Sequence, residues 1–155
     1  MGHATSVLAH DSRHLAYKSL KEVNAKKKTR RILLIEDNKA DVLLVKRMLH
    51  DACESEDFTF TDVPRMIDAL ELLDENSYDL ILLDLNLLDI EGTATIAALH
   101  AETPNTPIIV HSGANDPKLK EEALICGAKH YLVKGRESPY SMKFMIQNAL
   151  IQVQL

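Results

Sequence analysis

The stretch Tyr78-Asp79-Leu80-Ile81-Leu82-Leu83-Asp84-Leu85-Asn86 decides the fold. It is a short, almost unbroken apolar run that stops at a carboxylate. Such a run suits a strand buried on both faces, inside a parallel sheet covered by helices. The pattern recurs on either side of it. Ile32-Leu33-Leu34-Ile35 ends in Glu36-Asp37, Pro107-Ile108-Ile109-Val110 leads to Ser112-Gly113, and His130 to Val133 ends in Lys134-Gly135. Phe58-Thr59-Phe60-Thr61 reads as a further short strand. Between these runs the apolar spacing is helical. Val42, Val45 and Leu49 recur within Ala40 to Ala52, Pro64 is placed to open the next helix, and Thr93 to Ala101 forms another. Asp116 caps a helix with Pro117 at its first position and Gly127 at its end; Ser138-Pro139 repeats that start for the last helix.

Strand and helix therefore alternate five times. This is an α/β chain, a doubly wound (βα)5 fold with a five-stranded parallel sheet. Sites in such sheets form outside the carboxyl ends of the strands. The alternating unit is expected over 30–155. Residues 1–29 read as an extension, mobile or partly helical near Ser12 to Asn24, ending in a basic run.

The chain has 155 residues and a net charge of −5, which gives no basic field for nucleic acid. No apolar run is long enough to span a bilayer, and the start lacks a signal peptide's charged and apolar regions. Cys53 and Cys126 fall inside helical patterns and read as small buried hydrophobes in a reducing compartment. The expectation is a cytoplasmic protein without membrane or nucleic-acid contact.

The strand ends gather Glu36, Asp37 and Asp84, the hydroxyl of Ser112 and the amine of Lys134. Three carboxylates cannot all stay ionised in one dry pocket, because like charges raise each other's pKa. Mg²⁺ (or Mn²⁺) resolves the conflict, since it takes oxygen ligands and keeps room for a phosphate oxygen. A carboxylate is also a nucleophile able to form an aspartyl phosphate, with lysine and hydroxyl holding the other oxygens. The blander account makes each acid a helix cap, Asp37 or Asn38 for the first helix. Agreement at four strand ends argues against it.

These residues resemble the response regulator receiver domain family, the CheY-like superfamily of two-component signalling, in a single-domain form with an N-terminal extension. The motifs are Ile35-Glu36-Asp37-Asn38, Leu82-Leu83-Asp84-Leu85-Asn86, Asp89 with Gly92, Val110-His111-Ser112-Gly113 and Gly127-Ala128-Lys129-His130-Tyr131-Leu132-Val133-Lys134. The resemblance covers about Arg31 to Leu155. It implies the flavodoxin-like strand order 2-1-3-4-5. It further implies that Asp84 is the phosphoacceptor and that Glu36 and Asp37 are the acidic pair, with Asp37 favoured as the direct metal ligand. Asn86 would offer its backbone carbonyl to the metal. Ser112 would be the switch hydroxyl, Lys134 the lysine on the phosphoryl group, and Tyr131 the aromatic that reports the switch. The implied partners are a sensor histidine kinase or phosphotransfer protein, or a small phosphodonor, and a downstream protein target. The protein would not be a conventional enzyme, catalysing at most its own phosphorylation and dephosphorylation. Two positions depart from the family. Leu88 stands where Pro is frequent, and Gly135 where Pro in a cis bond is usual. A cis bond without proline costs about 2.5–4 kcal/mol, so none is expected after Lys134.

Two other functions compete. A pseudo-receiver, a binding module never phosphorylated, would not need the intact acidic set. A flavodoxin-like cofactor binder would need a phosphate-cradling loop after the first strand, where Glu36-Asp37 would repel phosphate. His111 alternates with Ser112 along its strand and should point away from the site as a packed histidine, with a pH-tuning role as the alternative. On the last helix, Met142, Met145, Ile146, Ala149, Leu150 and Val153 share the stripe expected to face the sheet. Tyr140, Phe144, Ile151 and Leu155 form a second apolar stripe opposite. That stripe suggests a homodimer through the last helix or a docking face, with cover by the N-terminal extension as the alternative.

Overall fold

The computed structural model describes residues 12–17, 28–52 and 56–153. Five strands, β1 (Lys28–Ile35), β2 (Glu56–Val63), β3 (Leu80–Leu83), β4 (Ile108–Ser112) and β5 (His130–Val133), form one parallel sheet in the order β2-β1-β3-β4-β5. They alternate with α1 (Lys39–Ala52), α2 (Met66–Glu75), α3 (Ala94–Glu102), α4 (Pro117–Ile125) and α5 (Pro139–Val153). Residues 12–17 are helical and exposed, within the stretch expected to be so. The expected helix beyond residue 17 lies outside the described residues.

The sheet separates two cores, and strand alternation assigns each side chain to one of them. Ile32, Leu34, Leu80, Leu82, Ile109 and Leu132 pack with Val42, Val45 and Leu49 of α1 and with Met142, Ile146 and Ala149 of α5. Leu33, Ile35, Ile81, Leu83 and Val110 pack with residues of α2, α3 and α4. All four residues of β3 are buried, which is why Tyr78 to Leu83 carries no period-two signal. Each such leucine or isoleucine contributes about 1.5–3 kcal/mol by burial.

Several local readings change in the structure. β1 and β2 are eight residues long, because β1 continues below its apolar segment and β2 extends at both ends to pair with it throughout. Pro64 does not open α2, which starts two residues later after an extended Arg65. The first N–H groups of that helix are met from a distant loop: Asp89 accepts from Met66 N–H (3.0 Å) and Ile67 N–H (3.1 Å). A cap 22 residues away in sequence is invisible to a local reading. The α4 ends are as expected. Asp116 accepts from Lys118 N–H (3.0 Å), and at the far end Ala128 N–H reaches Ala123 O while Gly127 N–H reaches Leu124 O. That pairing needs a positive φ at Gly127, observed at 118°, and a Cβ there would also meet the His100 ring at 3.2 Å.

On α5 Met142, Ile146, Ala149 and Leu150 of the sheet-facing stripe are buried as expected and Met145 is half-buried, whereas Tyr140, Phe144 and Ile151 on the other side are 73%, 63% and 61% exposed. The side chain of Val153 and the whole of Leu155 lie outside the described residues, as do Leu20 and Val23 of the extension. Cys126 is half-buried against the α2–α4 core; Cys53 lies outside the described residues. Among the described residues no helix is long and apolar enough to cross a membrane.

Asp89→Ala should lower the urea unfolding free energy by about 1 kcal/mol, the usual worth of a helix cap. Burial alone would push the Asp89 carboxyl up; the N–H groups of Ile67 and Met66, its own N–H and the Arg65 charge together outweigh that and hold it below the ordinary range. Its contribution is therefore present above the unfolded pKa of aspartate and is lost as pH falls through the lowered folded pKa. The gap between wild type and Asp89→Ala should accordingly close in acid. A gap that persists there would show that the capping charge is not its source.

Candidate functional site

The carboxyl ends of β1, β3, β4 and β5 open into one cleft lined by Glu36, Asp37, Asp84, Asn86, Ser112 and Lys134, with Asp41 at its edge. Each side chain arrives by a simple local device. β1 ends at Ile35, and Glu36 N–H still pairs with Val63 O, so the chain turns only after the acid. Asn38 then caps α1 through its side-chain oxygen, which accepts from Ala40 N–H (2.9 Å) and Asp41 N–H (3.2 Å). Capping thus falls to Asn38, not Asp37. Asp84 N–H bonds Ile35 O, which keeps Asp84 beside the β1 end.

The acids are close and mostly buried. Ligand oxygens of Glu36, Asp37 and Asp84 lie within 4.8 Å of one another, and Glu36 and Asp84 are 4% and 5% exposed. Lys134 Nζ stands 2.8 Å from Glu36 Oε2, 2.9 Å from Asp41 Oδ2 and 3.4 Å from Asp84 Oδ2. The remaining Glu36 oxygen accepts from Asn38 N–H (3.1 Å), and Asp84 Oδ1 accepts from Asn86 N–H (3.2 Å). Burial pushes the Glu36 carboxyl up, to about 7; the Lys134 ammonium and the Asn38 N–H oppose the shift, and the Asp84 charge adds to it. Burial alone would pull the Lys134 ammonium down. Its hydrogen bonds to Glu36 and Asp41 and the Asp84 charge outweigh that and hold it above the ordinary lysine range. A buried all-oxygen cluster with more acids than cations fits a hard divalent ion such as Mg²⁺.

The structure therefore brings together every residue singled out at the strand ends. From the sequence alone no site role falls to Asp41. It sits in the first turn of α1, where an acid is unremarkable, and its partner Lys134 lies 93 residues away.

Ser112 and Tyr131 occupy the other wall. Ser112 is 4% exposed, and its hydroxyl accepts from Ala114 N–H (3.3 Å). Tyr131 is already turned inward at 7% exposure, and its hydroxyl donates to Ala114 O (2.7 Å). One residue, Ala114, thus joins the hydroxyl at the cleft to the ring beneath. His111 is buried, as a packed histidine should be. Burial first, then the Lys134 charge, holds its imidazole below the usual range. No cis peptide bond occurs among the described residues. Gly135 takes φ +80°, which proline cannot adopt, so glycine and the trans bond belong together here.

Comparison with known proteins agrees with this geometry. The family model for the response regulator receiver domain matches residues 32–143. The cell cycle transcriptional regulator CtrA of Caulobacter vibrioides is 36% identical over 104 residues, 67% of this chain and 43% of that protein. CtrA of Brucella ovis, a cell cycle response regulator, is 35% identical over the same shares. The chain thus spans less than half the length of these relatives. Among solved structures, a response regulator from Burkholderia pseudomallei with a phosphorylated aspartic acid, calcium ion and citrate has a TM-score of 0.66 and 25% identity, over 81% of this chain and 71% of that one. The signal receiver domain of a Luxo repressor protein from Vibrio parahaemolyticus has the same fold (TM-score 0.71, 24% identity, 81% of this chain and 93% of that one).

Tyr131→Phe should cost about 1 kcal/mol in urea unfolding, because it leaves the Ala114 carbonyl without its buried donor. Amide exchange should accelerate at Ala114 and Asn115 and stay unchanged in α1. Unchanged exchange in that loop would mean the hydroxyl does not restrain it.

Proposed function

The chain belongs to the response regulator receiver domain family, and from that premise we propose that it is a phosphorylation switch whose acceptor is Asp84. One observation carries the reading. Asp84 is buried at the end of β3 with one oxygen on Asn86 N–H and the other 3.4 Å from Lys134, beside two further carboxylates. In the step proposed, an Asp84 oxygen attacks the phosphorus of a phosphohistidine or a small phosphodonor. The new O–P bond replaces the donor's P–N or P–O bond, and the leaving group keeps the electron pair. Glu36, Asp37, Asp84 and the Asn86 carbonyl would hold Mg²⁺ or Mn²⁺, which when bound neutralises charge on the phosphoryl oxygens. Lys134 and the Ser112 hydroxyl would hold those oxygens from the protein side.

A phosphoryl group shifts the ensemble only by binding one state better. Ser112 moving toward it would release Ala114 N–H, and Ala114 O is the partner of Tyr131. This supports Tyr131 as the element through which the α4–β5–α5 side senses the acceptor. The proposed partners are a histidine kinase or phosphotransfer protein in the cytoplasm and a downstream protein target. Residues 30–155 would constitute the switch and 1–29 an accessory segment. The exposed Tyr140, Phe144 and Ile151 would form a two-fold contact between copies; Leu155, also assigned to it, lies outside the described residues.

Acetyl phosphate with Mg²⁺ should add one phosphoryl mass to the intact protein, and Asp84→Asn should abolish it. Incorporation that survives this change would name the wrong nucleophile, and no incorporation in the wild type would favour the pseudo-receiver. Ser112→Ala should retain partial phosphorylation while losing phosphorylation-dependent partner binding. For the interface, polar replacement of both Phe144 and Ile151 should give a folded, smaller species by light scattering. A wild type already monomeric at high concentration would exclude that contact.

A further inference from the structure

Lys134 has three N–H donors and three carboxylate neighbours, but those neighbours are not equivalent. Glu36 and Asp84 belong to the cluster able to hold a metal ion; Asp41 does not. Asp41 also stands at the rim, its side chain 27% exposed against 3% for Glu36 and 6% for Asp84. Its place is fixed from behind, since Asn38 accepts the Asp41 N–H and sets the first turn of α1. The ammonium sits nearly as close to Asp41 as to Glu36, and farthest from Asp84.

An ammonium and a divalent cation compete for the same oxygens. Without Asp41, the third donor of Lys134 would have Glu36 and Asp84 as its nearest acceptors, which would set it against the metal at both. Resting on the reading of this cleft as a cation-assisted phosphoacceptor site, we propose that Asp41 is a positioning residue. It takes one share of the Lys134 ammonium and so limits that ammonium's hold on the inner carboxylates, leaving them to the cation. Asp41 itself is not a ligand.

The test uses Mn²⁺ alone, with binding read from loss of the free-ion EPR signal. It needs no phosphodonor. Asp41→Asn should weaken Mn²⁺ binding, first by removing a nearby negative charge and second by freeing Lys134. Only the first effect remains when Lys134→Gln is already present. The loss should therefore be at least about threefold larger with Lys134 than without it, an interaction that a double-mutant cycle isolates. Asp41→Glu keeps the charge and should bind Mn²⁺ within about twofold of the wild type. This variant tests the idea even if Lys134→Gln fails to fold. Equal losses in both backgrounds would overturn the proposal, as would Asp41→Glu binding as weakly as Asp41→Asn. Asp37→Ala serves as the control for the reading beneath. If the wild type binds no Mn²⁺, that reading falls and the inference with it. If the wild type binds, Asp37→Ala does not, and Asp41→Asn matches the wild type, only the inference falls.

Discussion

Three carboxylates meet one ammonium at the carboxyl edge of the sheet, with Asp37 beside them, and the architecture around them follows from keeping that unequal set together. Glu36 comes from the end of β1, Asp84 from the end of β3, Asp41 from α1 and Lys134 from the end of β5. Bringing these positions together requires β1 beside β3 and the β5 end within reach of both, which the observed strand order provides. The charges are not neutralised among themselves. Burial lifts the Glu36 carboxyl while the same neighbourhood keeps Lys134 protonated. The cleft thus holds more acid than base as it stands, a mismatch that a divalent ion would relieve.

The opposite wall is built on hydrogen bonds between neutral groups. Ser112, Ala114 and Tyr131 are linked through one residue's N–H and carbonyl. A neutral link of this kind is worth only about 1 kcal/mol, small enough for an added phosphoryl charge to rearrange. In the function proposed, the two walls would divide the labour, the acidic side binding charge and the neutral side responding to it.

Much of this was legible in the sequence because the relevant signals are local. The apolar runs gave the strands, and the polar residue closing each run gave the cleft; Asp84 after Leu80 to Leu83 is the clearest case. The Asp116-Pro117 and Gly127 pairing marked both ends of α4. The readings that failed involve partners far apart in sequence. Asp89 caps α2 in place of anything near Pro64, and Asp41 pairs with Lys134. Neither residue is unusual where it stands, so only the folded chain reveals what it touches. The lengths of β1 and β2 were underestimated for a related reason. Their lower halves pair with each other alone and need no apolar alternation to do so.

Those lower halves have a mechanical consequence. β1 enters the sheet at Lys28, eight residues ahead of the acidic edge, a distance of about 26 Å at strand rise. α5 begins beside that edge and runs back about 22 Å over its 15 residues. The two ends of the described domain therefore emerge from the floor of the molecule, while the acidic cleft occupies its roof. A segment joined to either end therefore departs from the side of the sheet opposite Asp84.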